Sequence, residues 1–321
     1  MNILILSCGT RNKLMRYFKE PGNGIDRVVG ADCSGYAPAL YEADAHYLVP
    51  RMTSPDYPDI LLDICRREKI DAVLPLQEDE LFLIASHRQK FTDAGILPVV
   101  SEKKTVELCR DKYAFYQHMK QNGLPVLPSC LNVSEFQKRY ENGEMEFPVF
   151  IKPVRGCGSI GVQKVDNIEL LSVLCKYSSE DMLIQQFAEG DEYGVDLYVD
   201  MLSHMPVSVF IKKKLRMRAG ETEKSISVKE EALFDLIRKT AASLSLSGPV
   251  DMDVFCVNGN YYLSEINPRF GGGYPHAHAC GINFPKFIAN NVAGRENTDA
   301  IGHYEEGICM LKYTDLMTLR L

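Results

Sequence analysis

Five short apolar runs in the first hundred residues constrain the fold more than any other feature of the chain. They are Ile3-Leu4-Ile5-Leu6, Arg27-Val28-Val29, Tyr47-Leu48-Val49, Ala72-Val73-Leu74 and Ile96-Leu97-Pro98-Val99-Val100. Runs without polar alternation are buried on both faces, as in a parallel sheet covered by helices. The segments between them supply such helices. Ser54 to Lys69 carries Ile60, Leu61, Ile64 and Cys65 at helical spacing, and Glu78 to Phe91 has a second helical pattern. An open α/β layer of βαβ units is expected.

Open sheets of this kind take ligands at the carboxyl ends of their strands. The turn after the first strand, Ser7-Cys8-Gly9-Thr10-Arg11-Asn12-Lys13, has one glycine where a dinucleotide-binding turn needs three, so nicotinamide binding is not expected. Gln77-Glu78-Asp79-Glu80 follows the fourth strand; it reads either as ligand contacts or as acids favouring a helix N-terminus.

Composition narrows the class of partner. A length of 321 residues suggests two or three compact units, and 36 basic against 43 acidic side chains give a net charge of −7. The one basic stripe, Lys212-Lys213-Lys214-Leu215-Arg216-Met217-Arg218, suits a small anionic ligand better than nucleic acid or an anionic membrane. Ten cysteines, with no CxxC pair, read as free thiols of a reducing compartment. The start MNILILSCG lacks a basic n-region, and no apolar stretch approaches the ~18 residues of a membrane span, which places the chain in the cytoplasm.

Two later segments have the chemistry of nucleotide contacts. In FPVFIKPVRGCGSIGVQKV a strand ends in Lys152, a loop holds Gly156, Gly158 and Gly161, and a return strand follows. Successive loop N–H groups can surround phosphate oxygens while Lys152 adds charge; the alternative is a flexible hairpin that touches nothing. The GxxxxGK[ST] order of a P-loop is absent. In MLIQQFAEGDEYGVDLYVD a strand runs into Gln185-Gln186-Phe187-Ala188, with Glu192 beyond a turn at Gly190. Backbone there can offer a donor and an acceptor to an adenine edge, and a carboxylate can accept from ribose hydroxyls. An ordinary polar turn is the alternative.

The segment VDMDVFCVNGNYYLSEIN reads as a hairpin about Asn258-Gly259. Alternation puts Asp251 and Asp253 on one face of their strand and Glu265 and Asn267 on one face of theirs. A two-residue turn would oppose residues 253 and 264 and send Asp253 and Glu265 to opposite faces. A three-residue turn with a glycine bulge brings all four to one face, where their oxygens suit Mg²⁺ or Mn²⁺. The bulged turn is therefore predicted. His276 and His278, beside Gly271-Gly272-Gly273, read as lining or packing residues.

In this order the segments resemble the ATP-grasp superfamily, closest to the carbamoyl-phosphate-synthase-like carboxylate-amine ligases. The resemblance rests on Asp111-Lys112; Ile151-Lys152-Pro153 with the glycine loop through Ser159; Gln185-Gln186-Phe187 with Glu192; and Asp253, Glu265 and Asn267-Pro268-Arg269. It implies an N-terminal open parallel α/β pre-ATP-grasp domain over residues 1–108, followed by a two-lobed ATP-grasp fold with a small lobe at 109–188 and a large lobe at 189–321. It further implies that Lys112 and Lys152 contact the α- and β-phosphates and that Gly156, Gly158, Ser159 and Gly161 close over them. Gln185, the Gln186 and Ala188 backbones, Phe187 and Glu192 would hold adenine and ribose. Asp253, Glu265 and Asn267 would bind two Mg²⁺ ions, Arg269 would sit near the γ-phosphate, and Lys224 matches a loop lysine that reaches the transferred phosphoryl group. Two departures stand out: Gln186 and Asp253 replace the residues usual in relatives, and the aspartate reaches one methylene less far.

The implied activity is ATP-dependent formation of an acyl phosphate from a small-molecule carboxylate, which an amine then attacks. Phosphoryl transfer needs charge neutralisation and in-line positioning, so lysines, arginine and metal ligands suffice. The alternatives are a bicarbonate-using enzyme of the carbamoyl-phosphate type and a non-catalytic ATP-binding subunit. The triple glycine is expected to leave room beside Arg269 for acid and amine. A homodimer is compatible with such a scaffold, although no repeat or heptad argues for it. The tail from Glu305 to Leu321 is expected to add a strand or helix to the sheet.

Overall fold

The computed structural model describes residues 1–156 and 161–320. Five strands, β1 (Asn2–Leu6), β2 (Arg27–Asp32), β3 (Ala45–Leu48), β4 (Ala72–Pro75) and β5 (Leu97–Pro98), form an all-parallel sheet in the order β3-β2-β1-β4-β5. The apolar runs predicted this because both faces are covered. Leu4 and Leu6 meet Leu61, Ile64 and Cys65 of the helix Tyr57–Glu68. Ile3 and Ile5 point the other way, into a core shared with the large sheet described below. Each such buried aliphatic side chain contributes about 1.5–3 kcal/mol. The predicted helix over 78–91 is two helices, Glu78–Ser86 and Arg88–Asp93, meeting at His87. Chain order reverses between β1 and β4, so their carboxyl ends open onto one crevice.

A second sheet is antiparallel and small: β6 (Ser129–Cys130), β7 (Val149–Pro153), β8 (Gln163–Val165) and β9 (Met182–Gln186), in the order β6-β9-β7-β8. Phe136 and Leu171, from helices Val133–Glu141 and Ile168–Tyr177, pack on its Val149, Ile151 and Ile184. The hairpin β7–β8 carries the glycine loop.

The large sheet comprises β10 (Asp191–Val199), β11 (Pro206–Arg218), β12 (Glu221–Val228), β13 (Gly248–Val257), β14 (Asn260–Asn267) and β15 (Cys309–Leu311), in the order β14-β13-β10-β11-β12-β15. Strand alternation divides its two faces. Val195, Leu197, Val250, Met252 and Ile266 join the core with Leu233 and Ile237 of helix Glu231–Ala242 and Ile288 of helix Phe284–Val292. The other face is polar and lines a cavity together with residues that follow or belong to strands of the first two sheets. The C-terminal tail contributes its strand, β15, at the edge beside β12. Among the described residues no helix is long and apolar enough to cross a membrane.

The β13–β14 turn corrects one expectation. Val257 pairs directly with Asn260, and Asn258 and Gly259 have φ of 50° and 78°, a tight two-residue turn. Asn and Gly both tolerate the left-handed conformation that matches the twist of the flanking strands. The parity change is supplied deeper in the hairpin. Val254 pairs with Leu263 but Asp253 pairs with Glu265, leaving Ser264 as the extra residue of a β-bulge. Asp251 then lies opposite Asn267, and all four side chains share the polar face despite the tight turn.

Candidate functional site

Strand register lays out this polar face in rows. Asn267, Asp251 and Asp196 lie side by side across β14, β13 and β10; Glu265, Asp253, Gly194 and Lys212 form the next row across β14, β13, β10 and β11. Such a density of charge is stable only when paired. Gly194 permits the pairing, because a Cβ there would lie 2.9 Å from the Lys212 Cε and 3.2 Å from the Lys214 Cε. Across that gap Lys212 bonds Asp196 in a fully buried pair. Lys214, with 5% of its side chain exposed, donates to Glu192 at 2.7 Å and Asp253 at 2.5 Å. Burial opposes the Lys214 charge, but Asp253 and Glu192 outweigh it and hold its pKa above the ordinary value. For Asp253 burial dominates, and with Asp251, Glu192 and Glu265 nearby its pKa is raised despite Lys214.

The basic stripe is thus largely neutralised within the protein. Lys213, on the opposite face, bonds Asp191 at 2.7 Å, and Arg216 and Arg218 both reach Glu223. Lys214, Met217 and Arg218 reach the cavity described next.

A cavity of about 760 Å³ lies between the three sheets. Phe150, Phe187 and Gln185 line one end, and Arg11, Glu78, Glu221 and Gly272 line the part formed with the first α/β unit. Lys112, Lys152, Gly156, Ala188, Glu192, Asp253, Glu265, Asn267 and Arg269 also face it, so the structure brings most of the sequence-selected residues together. Lys112 is set by its helix, whose start is capped by the Asp111 carboxylate, and it donates to the Gly156 carbonyl at 2.6 Å. Lys152 is 8% exposed and has no carboxylate within ion-pairing distance among the described residues. Burial lowers its pKa, while Glu265, Asp253 and Glu192 oppose that effect.

Arg269 is fixed from two sides. Its Nη1 donates to Asp251 at 3.1 Å and its Nη2 lies 3.7 Å from Glu78. Burial disfavours its charge, yet Asp251 and Glu78 hold its pKa above the ordinary value. The three glycines that follow have a role different from the expected open space. A Cβ at Gly271 would lie 2.2 Å from Asp251 Oδ1, at Gly272 2.8 Å from Glu221 Cδ, and at Gly273 2.6 Å from Lys212 Cε. Each glycine lets one charged side chain approach the backbone.

Several sequence-selected residues lie elsewhere. Lys224 is in β12, opposite Arg216 and Leu311, rather than in a loop, and it does not line the cavity. The β11–β12 turn falls earlier, at Ala219-Gly220, where φ is 50° and 75°. The Gln186 side chain turns away to accept from Glu146 N and donate to Glu146 O, and its own N–H donates to Pro128. Gln185 lines the cavity, but its Nε2 donates to Ser129 Oγ at 3.2 Å. Gly161 faces a separate groove behind β7, and Gly158 and Ser159 lie outside the described residues. His276 is buried between Ser225 Oγ and the Ile308 carbonyl, and His278 stacks on Tyr17; neither lines the cavity. Arg11, Glu221 and Thr222 line it without having been selected from the sequence. Their signal is the switch point after β1 for Arg11, and only tertiary pairing for the other two.

The donor set fits a hard divalent cation in one respect. Asp253, Glu265 and Asn267 offer adjacent oxygens from two paired strands, and Asp253 already attracts a cation, the Lys214 ammonium. Among the described residues no three His, Cys, Asp or Glu side chains form a closed cage. An ion here would need ligands from a bound phosphate as well, as Mg²⁺ commonly has.

A model of the ATP-grasp domain matches residues 109–273, and a model of a PylC-like N-terminal domain matches residues 3–100. The chain is 24% identical over 239 residues to the carbamoyl phosphate synthase arginine-specific large chain of Bacillus subtilis, covering 71% of this chain and 22% of that protein. It is 27% identical over 229 residues to the D-alanine--D-alanine ligase of Pseudomonas entomophila, covering 64% and 69%. The chain thus spans about a fifth of the carbamoyl phosphate synthase large chains it matches. Among solved structures, the biotin carboxylase domain dimer of Hydrogenobacter thermophilus 2-oxoglutarate carboxylase, in complex with MgADP and bicarbonate, superposes with a TM-score of 0.75 at 18% identity, covering 96% of this chain and 73% of that one. N5-carboxyaminoimidazole synthetase from Staphylococcus aureus gives 0.72 at 17% identity, covering 94% and 78%.

Proposed function

Because the chain belongs to the ATP-grasp family, we propose that it is an ATP- and Mg²⁺-dependent ligase that activates a small-molecule carboxylate as an acyl phosphate and joins it to an amine. The observation that carries this reading is the meeting, in one cavity, of buried Lys152 with the oxygens of Asp253, Glu265 and Asn267 and the guanidinium of Arg269. A lysine buried without a carboxylate partner calls for an anion, and an ATP phosphate supplies one. Phe150, Phe187 and Val162 line the same cavity and would flank the adenine, and Glu192 would accept from the ribose.

Lys112 and Lys152 neutralise phosphate charge as the γ-phosphoryl group passes to the acid. The acid's oxygen forms the new P–O bond, the bond to the β-phosphate oxygen breaks, and ADP leaves. The amine nitrogen then attacks the acyl carbon, losing a proton as phosphate departs. Arg269 stabilises the carboxylate and the transferred phosphoryl group, held in place by Asp251 and Glu78. Asp253, Glu265 and Asn267 would hold Mg²⁺, which supplies Lewis-acid neutralisation of the phosphate oxygens. The biotin carboxylase structure that the chain resembles is a dimer holding bicarbonate, which supports a homodimer here and bicarbonate as the alternative acid.

The test is ADP release from MgATP against a matrix of carboxylates and amines. Release that requires one acid and one amine together supports the ligase. Release with bicarbonate alone would move the assignment to the carboxylating class, and tight MgATP binding with no turnover for any pair would overturn catalysis.

A further inference from the structure

Most charged groups around the cavity are spent on one another: Lys214 on Asp253 and Glu192, and Asp251 on Arg269. Two from the first α/β unit have only distant charge partners and keep hydrogen-bonding capacity. Arg11 follows β1, and among the described residues its guanidinium makes no hydrogen bond; its nearest acid, Glu221, stands 3.6 Å away and gives its other oxygen to Lys312 at 3.0 Å. The guanidinium lies against Gly272, where a Cβ would come within 3.0 Å of Nη1, so the glycine keeps its approach to the cavity clear. Glu78 follows β4. Its Oε1 is buried without a hydrogen-bond partner, and the cation that pairs with it, Arg269 Nη2, stands 3.7 Å away. Since β1 and β4 are neighbours in the sheet, a cation and an anion with unused hydrogen-bonding capacity reach the same part of the cavity from adjacent strand ends.

An acceptor held out of water without a partner, as Glu78 Oε1 is, is costly unless a ligand completes it, and the partly exposed Arg11 guanidinium keeps donors free beside it. One small molecule with both charges would satisfy the pair. We propose that Glu78 and Arg11 form the acceptor subsite for a free amino acid, Glu78 taking its ammonium group and Arg11 its carboxylate. This rests on the ligase reading and identifies the amine as zwitterionic. Burial pushes the Glu78 carboxyl above its usual range, which an ammonium partner would reverse. Burial and the charge of Arg269 likewise disfavour the Arg11 cation, which a carboxylate partner would relieve. Bidentate pairing with a carboxylate is the arrangement for which guanidinium geometry is suited.

Isothermal calorimetry on the MgADP-loaded protein tests the subsite without turnover. The probes are free L- and D-amino acids, their carboxamides and their N-acetyl derivatives, with circular dichroism melts confirming that each variant is folded. At least one free amino acid should bind while its amide and N-acetyl forms bind about 10- to 100-fold more weakly, the range expected for a lost charged hydrogen bond. Arg11→Gln should remove discrimination against the amide, and Glu78→Gln discrimination against the N-acetyl form. Equal binding of blocked and free forms, unchanged affinity in both variants, or no binding by any amino acid would overturn the proposal. The ADP-release matrix separates the two claims: turnover with simple amines that lack a carboxylate leaves the ligase standing and removes the amino-acid subsite.

Discussion

Lys214→Met is expected to destabilise the nucleotide-free protein and to make it unusually dependent on MgADP. Methionine keeps most of the stem that crosses Gly194 but removes the ammonium held 2.7 Å from Glu192 and 2.5 Å from Asp253. With 5% of the lysine side chain exposed, little water can replace it, and Asp251, Glu192 and Glu265 stand close enough to repel the abandoned Asp253 carboxylate. Removing one partner of a buried ion pair costs about 3–5 kcal/mol. At about 2 °C per kcal/mol for a chain of this size, the melting temperature should fall by roughly 6–10 °C. Mg²⁺ with ADP should recover most of that loss, because a cation then returns to the same oxygens. Differential scanning calorimetry of wild type and variant, each with and without MgADP, reads both effects. A variant that melts within about 2 °C of wild type, or that gains no more from MgADP than wild type does, would refute the reasoning.

The other predictions concern the glycines and one histidine. Gly271→Ala would bring Cβ within 2.2 Å of Asp251 Oδ1 and displace the carboxylate that orients Arg269, so kcat should fall about 10²–10³-fold while the ATP Kd holds; steady-state ADP release with parallel nucleotide titration checks this. Gly272→Val should abolish turnover yet leave nucleotide binding within about 3-fold, since its side chain collides with Glu221 and Arg11 rather than with the Phe150 and Phe187 end. Burial first, then the Lys212 charge, lowers the His276 pKa to about 4 from its ordinary 6.5. The unfolded chain therefore takes up the proton first, so the stability this residue contributes is complete above pH 6.5 and is lost as pH falls toward 4. Urea titrations across that window should show about 3 kcal/mol of acid-side loss that His276→Gln removes.

How much could be read from the sequence follows from which interactions are local. The parallel sheet was legible because Ile3 to Leu6 and Ala72 to Leu74 are apolar on both strand faces, a pattern that few other structures produce. The hairpin at Asn258-Gly259 was legible too, but not its register. Ser264 has no bulge signature of its own; it becomes the extra residue because Leu263 is buried in the core while Glu265 faces the cavity, and that is decided by what packs on each face. Lys224 and Lys214 could not be ranked without β11 and β12 in place, since only cross-strand partners show that Lys214 reaches Glu192 and Asp253. Arg11 was hidden for a similar reason: the turn after β1 was weighed only as a dinucleotide-binding turn, whereas its contribution is a side chain directed past Gly272. The glycines were expected to leave open room beside Arg269, and the three groups that instead approach them, Asp251, Glu221 and Lys212, come from other strands.

The central claim, transfer of phosphate through a carboxylate at this cavity, is tested most directly by oxygen tracing. The acid of an active acid–amine pair is labelled with ¹⁸O in both carboxylate positions, and the inorganic phosphate released by the protein is analysed by mass spectrometry. An acyl-phosphate route requires one labelled oxygen to pass into phosphate in every turnover, with ADP unlabelled. Unlabelled phosphate, or label recovered in AMP, would contradict it.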